Sequence, residues 1–229
     1  MNLGKIFLIV ISVLILLAGL ASMIGGGALT WSNYFLKDDD GFYSSKAADI
    51  NRDSFAITTS PADIELDPHW VLNWVEKVKV KFTATNKTEG KETFIGIAKE
   101  ETLSDYLGDS DYDEIEEFRT KNLSSEPQIS YKRHSGNSAP ETPPTSLKSW
   151  TASAHGDGQQ VLEWRLEEGT YSMVLMNADG SRGLKFSGSV GVKIPVIPGL
   201  GLGLLIGGLF LIALAFLGVY ATVTRMENS

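Results

Sequence analysis

Two long runs without a charged residue constrain this sequence of 229 residues more than any other feature. The first covers residues 6–29 and the second covers residues 194–224, with a stretch of ordinary polar composition between them. At about 1.5 Å per residue, a helix over the first run is roughly 36 Å long, enough to cross a bilayer core of about 30 Å. We therefore predict two transmembrane helices with a folded domain between them.

The first run has a second interpretation, a secretory signal peptide. Lys5 supplies a basic start, and Gly26-Gly27-Ala28 supplies a small-residue cleavage site. The apolar stretch is longer than a typical signal, which favours an uncleaved helix. The predicted organisation is a first helix or signal peptide at 1–29, a central domain at 30–193, a second helix at 194–224 and a tail at 225–229.

Basic residues near the helix ends predict the orientation. Lys5 precedes the first helix and Arg225 follows the second, which indicates that both termini are cytoplasmic. Lys37 and Lys193, at the outer ends, reduce this bias, and acidic residues count little in the rule. We predict a two-pass protein of the cell (plasma) membrane whose central domain is extracytoplasmic.

Composition narrows the function of the central domain. The chain has no cysteine, so an exported domain must be held by its own core and not by disulfides. The net charge is −8, and no basic stripe is visible, which argues against nucleic acid as a partner. No sequence motif indicates a cofactor, apart from the calcium alternative considered below.

The central domain is rich in predicted strands. In "VKVKFTAT", Val78, Val80 and Phe82 alternate with polar residues, which is the period of a strand with one buried face. "TFIGIA", "VLEWRLEEG", "TYSMVLM", "SFAITTS", "KSWTASA" and residues 184–193 are further candidates, and "KEETLSDYL" is a predicted helix. About eight short strands predict a mainly β fold, an antiparallel sandwich of the jelly-roll kind. A barrel is the alternative.

The strongest candidate for a metal site is "GDSDYDEIEEF". Asp109, Asp111 and Asp113 have the alternate spacing of the first ligands of a calcium loop. The sixth position is Glu114 where such a loop needs glycine, and the twelfth is Thr120 where it needs glutamate. We therefore expect a solvated acidic face, with loose calcium binding as the alternative.

The segment "MNADGSRG" raises the same question. Asn177 and Asp179 are followed at once by Gly180, and the downstream glutamate of a calcium loop is absent. These residues tolerate a left-handed backbone and lie between two alternating strands. We predict a structural turn of a hairpin.

The three histidines, His69, His134 and His155, lack zinc-site spacing. His69 lies among tryptophans and is predicted to be packed. His155, near Ser153 and Asp157, is the candidate for a hydrolase, although no nucleophile elbow is present. The prediction is that the protein is not an enzyme, with a surface hydrolase as an alternative.

Glycines of the second apolar run suggest helix packing. Gly199, Gly203 and Gly207 are four residues apart, which gives a face of small residues that another helix can approach closely. The partner is either the first helix or the helix of another subunit. The apolar runs hold no Asp, Glu, Lys, Arg or His, which argues against a charged path through the membrane.

The segments "FIGIAKEETLSDYLGDSDYDEI" and "SWTASAHGDGQQVLEWRLEEGTYSMVLMNADGSRG" resemble a family of uncharacterised bacterial and archaeal membrane proteins. The resemblance covers roughly residues 93–183. It rests on Phe94, Gly96, Ile97, Tyr106, Leu107, Asp113, Glu114, Trp150, Gly156, Gly158, Leu162, Trp164, Gly169, Met176, Asn177, Ala178, Asp179, Gly180 and Ser181. It implies an extracytoplasmic β domain between membrane helices and no particular activity. The triple aspartate is not part of the family pattern.

These observations predict a membrane-anchored extracytoplasmic module for binding or assembly, a subunit of a cell-envelope or membrane complex. The predicted partners are the membrane and a protein, or a second copy of the chain, through the transmembrane helices. The first alternative is the ectodomain of an oligomeric pore or of its regulator, and the second is the surface hydrolase.

Overall fold

A computed structural model describes residues 3–65 and 78–227 of the chain. It divides into two compact units. One contains the two terminal helices, and the other is the domain Asp38–Ile194. His69, which the sequence predicts to be packed, lies outside the described residues.

The helices are α1 (Leu3–Phe35), α2 (Glu100–Leu107) and α3 (Ile197–Glu227). In α1 and α3, the segments Ile6–Phe35 and Ile197–Thr224 are long and apolar enough to cross a membrane. The two helices pack against each other through glycines that remove side-chain bulk. Ser22 Oγ also donates to the carbonyl oxygen of Leu204 over 2.9 Å, a link between two otherwise apolar helices.

The domain contains two β-sheets. The five-stranded sheet consists of β1 (Tyr43–Ser44), β2 (Ala48–Arg52), β5 (Lys79–Asn86), β10 (Gln159–Arg165) and β12 (Leu184–Lys193). Strand β12 pairs with β1 and β2 along one edge and with β5 along the other, and β10 follows β5. All these pairs are antiparallel.

The seven-stranded sheet consists of β3 (Ala56–Thr59), β4 (Ala62–Ile64), β6 (Thr93–Lys99), β7 (Tyr112–Arg119), β8 (Gln128–His134), β9 (Ala152–Gly156) and β11 (Gly169–Asn177). Its order is β8-β7-β3-β11-β6-β9, and β4 also pairs with β11. Strands β3 and β7 run parallel, so this sheet is mixed. A short 3-10 helix, Pro144–Ser146, precedes β9.

Many successive strands cross between the sheets, whereas β7 and β8 form an antiparallel hairpin within the seven-stranded sheet. The connections β5–β6, β9–β10, β10–β11 and β11–β12 each leave one sheet and enter the other. The predicted sandwich between two apolar helices is confirmed. The predicted hairpin around Asp179 is wrong, because β11 and β12 belong to different sheets and pair with different neighbours.

The core lies on both faces of the seven-stranded sheet. Between the sheets, Ile57, Ile95 and Phe186 are almost fully buried. On the outer face of the sheet, α2 inserts Leu103 and Leu107. This explains why β6 is apolar on both sides instead of alternating.

Candidate functional site

Asp113, at the start of β7, is a fully buried carboxylate held by two arginines. Arg52 Nη2 donates to its Oδ1 over 2.6 Å, and Arg133 Nη1 donates to its Oδ2 over 3.0 Å. Burial acts to raise the pKa of Asp113, but the hydrogen bond and charge of Arg52 outweigh it and lower the pKa. The carboxylate is therefore ionised and neutralised within the protein.

Asp111 takes part in the same cluster. Its Oδ2 lies 2.6 Å from Arg182 Nη1 in an ion pair and accepts a hydrogen bond from Arg133 over 3.1 Å. The backbone N–H of Gly136 donates to its Oδ1, and with these cations it lowers the pKa of Asp111. Arg182 Nε also donates to Asp53 over 2.9 Å. Three arginines thus face three aspartates in a balanced cluster.

This cluster corrects the solvated acidic face expected for Asp109, Asp111 and Asp113, because Asp111 and Asp113 are buried and paired with arginines. The carboxylates of Asp111 and Asp113 accept hydrogen bonds from guanidinium groups at the positions that a metal ion would need. The exposed Asp109 accepts a hydrogen bond from Asn137 Nδ2. Within residues 3–65 and 78–227, no group of three acidic, histidine or cysteine side chains is placed to hold a metal ion. Sequence reasoning missed the arginines because they lie in three distant segments.

The segment from Asn177 to Gly180 forms a turn that connects the two sheets. The N–H of Gly180 donates to the carbonyl oxygen of Asn177, and Gly180 has a φ of +72°. The Asn177 side chain is buried, donates to the carbonyl oxygen of Ser181 and accepts from Asn86 Nδ2. Asp179 forms an ion pair with Lys91. These side chains fix the turn, and every polar atom named here has a protein partner.

His134 belongs to a small polar group beside α2. Its Nε2 lies 2.8 Å from Glu114 Oε2, and Ser60 Oγ donates to Glu114 Oε1 over 2.7 Å. The hydrogen bond from Ser60 is the main reason that the pKa of Glu114 is lowered. The acid stands between serine and histidine, whereas a hydrolytic triad needs histidine in the middle. Tyr112 stacks on the His134 ring at 4.4 Å.

His155, the hydrolase candidate, lies on the exposed strand β9. Its ring stacks against Phe94 at a centroid distance of 6.4 Å. Among the hydrogen bonds of the described residues, none joins His155 to Ser153 or Asp157. The structure therefore does not show the hydrogen-bonded set that the hydrolase hypothesis requires.

The glycines that pack α1 against α3 are not those the sequence suggested. A Cβ added at Gly208 would lie 2.8 Å from the carbonyl oxygen of Gly19. At Gly199, Gly203 and Gly207, an added Cβ would have no neighbour within 4 Å. Their face is thus not the contact face with α1, which corrects the intramolecular alternative. Their use against another subunit stays a prediction.

An apolar cleft of about 260 Å³ lies between the sheets. One wall, from the five-stranded sheet, includes Ala48 and Ala84, and the other includes Ile95 and Leu175. Its remaining lining residues are Ile50, Thr59, Phe82, Thr83, Ile115, Phe118, Ile129, Met173, Gly188, Ser189 and Val190. None of these residues is charged. Phe118 is 41% exposed, so the cleft opens at the edge formed by β7 and β8.

Comparisons with known proteins add little to this geometry. No family model matches the chain, and no curated protein matches it. One similar solved structure is described as CorA, a surface-associated copper-binding protein important in Methylomicrobium album BG8 copper acquisition. It is 13% identical, and the match covers 69% of this chain and 96% of that one with a TM-score of 0.27. At this TM-score the likeness carries no argument about this chain.

Proposed function

We propose that the chain is a membrane-anchored extracytoplasmic module for binding and assembly. The observation that carries the proposal is the surface of the helical unit. Large apolar side chains remain exposed on both helices, including Leu14, Ile24, Leu209 and Phe216, each with at least 60% of its surface accessible. Water penalises such a continuous apolar surface, whereas the hydrocarbon of a bilayer solvates it.

Aromatic residues support a membrane boundary at the end of α1. Trp31, Tyr34 and Phe35 are all more than half exposed, and the rings of Trp31 and Phe35 stack at 5.7 Å. Such residues concentrate at the boundary between hydrocarbon and water. The β-sandwich begins at Asp38, directly after this group. With the basic residues at both termini, this arrangement favours an extracytoplasmic sandwich.

The assembly part of the proposal rests on the face of Gly199, Gly203 and Gly207. A Cβ added at any of these three glycines would have no neighbour within 4 Å among the described residues, so α1 does not cover this face. Small residues four apart allow the backbone of a second helix to approach closely. A membrane helix of a partner subunit, or of a second copy, is the proposed occupant.

Purification from gentle detergent tests this proposal. The full chain is expected to emerge with a stoichiometric partner or as an oligomer. Replacing Gly203 by leucine is expected to weaken that association, and Phe216→Leu, at an exposed position on a different side of the helix, serves as a control. Recovery of a monomer without partners from both proteins would contradict the assembly role while leaving the membrane anchor intact.

A further inference from the structure

The apolar cleft exists because three neighbouring strands of the five-stranded sheet, β2, β12 and β5, have only small side chains in one row. In register across the sheet, Gly188 pairs with Ala48 on β2 and with Ala84 on β5. The adjacent row on one side has Ile50 opposite Phe186, which fill their share of the space. A sandwich core normally packs at the density of an organic crystal. A row without bulk therefore leaves a space that the chain does not fill.

A β-bulge shapes the opposite side of the cleft. Ile115 and Phe118 are three residues apart, so a regular strand would direct them to opposite faces. The ladder between β7 and β8 shifts between Ile115 and Glu117, and both side chains line the cleft. Ile129, directly opposite Phe118 on β8, lies beside it at the mouth. The bulge thus directs two apolar side chains to an opening instead of into solvent.

We propose that this cleft binds the unbranched hydrocarbon chain of an uncharged amphiphile. Its lining includes no charged side chain. A hydrocarbon chain can therefore enter the cleft without removing water from a charged group of the protein. If a methylene group takes about the volume of a water molecule, roughly 30 Å³, the cleft holds on the order of eight methylene groups. A narrow slot between two sheets suits a linear chain better than a fused ring system.

The surroundings of the mouth argue against a negatively charged head group. A second hollow shares Ala48 and Ile129 with the cleft, and Asp49 and Glu126 also line it. Carboxylates at that position repel the head group of a fatty acid or an anionic lipid. A hydroxyl head group can instead donate to them.

Photo-crosslinking of the full chain in isolated membranes tests the proposal. The probe is an n-decanol derivative with a diazirine in its alkyl chain, and labelled peptides are located by mass spectrometry. Label is expected on peptides that contain Phe118, Ile129 or Met173, in addition to the background on α1 and α3. Excess n-decanol should remove the sandwich label at a concentration at least tenfold lower than decanoate.

A phosphatidylcholine with the same diazirine in one acyl chain tests the bilayer as the source of the chain. Sandwich label from both probes supports a membrane lipid as ligand, and label from the alcohol alone supports a free amphiphile. Label confined to α1 and α3 with both probes would overturn the proposal. Preferential competition by decanoate would overturn the uncharged head group.

Matched variants tie the label to the cleft. Ala84→Leu fills the row of small residues and is expected to reduce the sandwich label at least tenfold. Thr85→Leu, the next residue of β5 on the outward face, is expected to leave it unchanged. Ala48→Val adds less volume to the same row, so it tests the cleft even if Ala84→Leu misfolds. Thermal unfolding checks that each variant is folded. Folded variants at both cleft positions that keep full label would refute the site.

Discussion

Arg52 Nη2 lies 2.6 Å from Oδ1 of Asp113, a carboxylate without exposed surface. The guanidinium also lies over the ring of Tyr131, 4.6 Å from its centroid. The contact joins the end of β2 in one sheet to the start of β7 in the other. A buried charge is tolerated only when it is paired and hydrogen-bonded, so this contact is central to the stability of that junction.

Replacing Arg52 by methionine should destabilise the protein by about 2–3 kcal/mol. The change leaves Asp113 buried with only Arg133 as a cation, and an incompletely compensated buried charge is costly. Chemical unfolding of the full chain in detergent micelles measures the effect. Arg119→Met removes the exposed pair with Glu117 and should cost less than about 1 kcal/mol. Equal losses in both variants would contradict the role given to burial.

Replacing Asn177 by leucine should cost about 2 kcal/mol. The side chain is 1% exposed, and its loss leaves Asn86 Nδ2 and the carbonyl oxygen of Ser181 without this partner. The same unfolding measurement applies. Asn137→Ala, at an exposed position, should change stability by less than about 0.5 kcal/mol. An unchanged midpoint for the leucine variant would show that the turn does not need this amide.

Acid should destabilise the sandwich between about pH 4 and pH 2. Burial acts to raise the pKa of Asp38, but hydrogen bonds from Lys81, Phe42 and Ser44 lower it from 3.8 to about 2. A lowered folded-state pKa contributes stability above the unfolded value, and this contribution is lost as the pH falls through the folded value. Asp38→Asn and Lys81→Met should each flatten the decline. Unfolding midpoints measured from pH 5 to pH 2 check this, and an unchanged slope in both variants would count against the pair.

The glycine contacts between α1 and α3 predict a difference between two substitutions. A Cβ at Gly218 would lie 3.6 Å from Ser12 Cβ, a separation compatible with a disulfide. In a Ser12→Cys, Gly218→Cys protein, oxidation should therefore be efficient. Adding Gly208→Leu should reduce the yield severalfold, because the new side chain meets the backbone of Gly19. Adding Gly203→Leu instead should leave the yield of the disulfide unchanged. Equal yields with Gly208→Leu and with Gly203→Leu would reject this helix interface.

Much of the fold follows from local patterns. The alternation in β5 and β10 and the capacity of α2 to bury Leu103 and Leu107 are visible in the sequence, as are the two uncharged runs. Strands β7 and β8 are not among the strands predicted from the sequence, and the acidic residues of β7 are of a type that is rare in strands. The assignment of strands to different sheets depends on long-range pairing, which alternation alone does not encode.

The site residues were harder to predict for the same reason. The spacing of Asp109, Asp111 and Asp113 is local and suggested calcium, whereas Arg52 and Arg182 reach the cluster from distant strand ends. The row of Ala48, Gly188 and Ala84 emerges only when the register of three strands is known. The bulge beyond Ile115 likewise has no signature in the sequence, because it depends on the partner strand.

Cysteine accessibility tests most directly the claim that the sandwich is extracytoplasmic and the tails are cytoplasmic. The chain has no native cysteine, so single substitutions give an unambiguous signal. Glu89→Cys lies in the exposed turn between β5 and β6, and Ser229→Cys lies at the C-terminal end. A membrane-impermeant maleimide added to intact cells should label the first substitution, and the second only after permeabilisation. Labelling of Ser229→Cys in intact cells, with Glu89→Cys protected, would contradict the account.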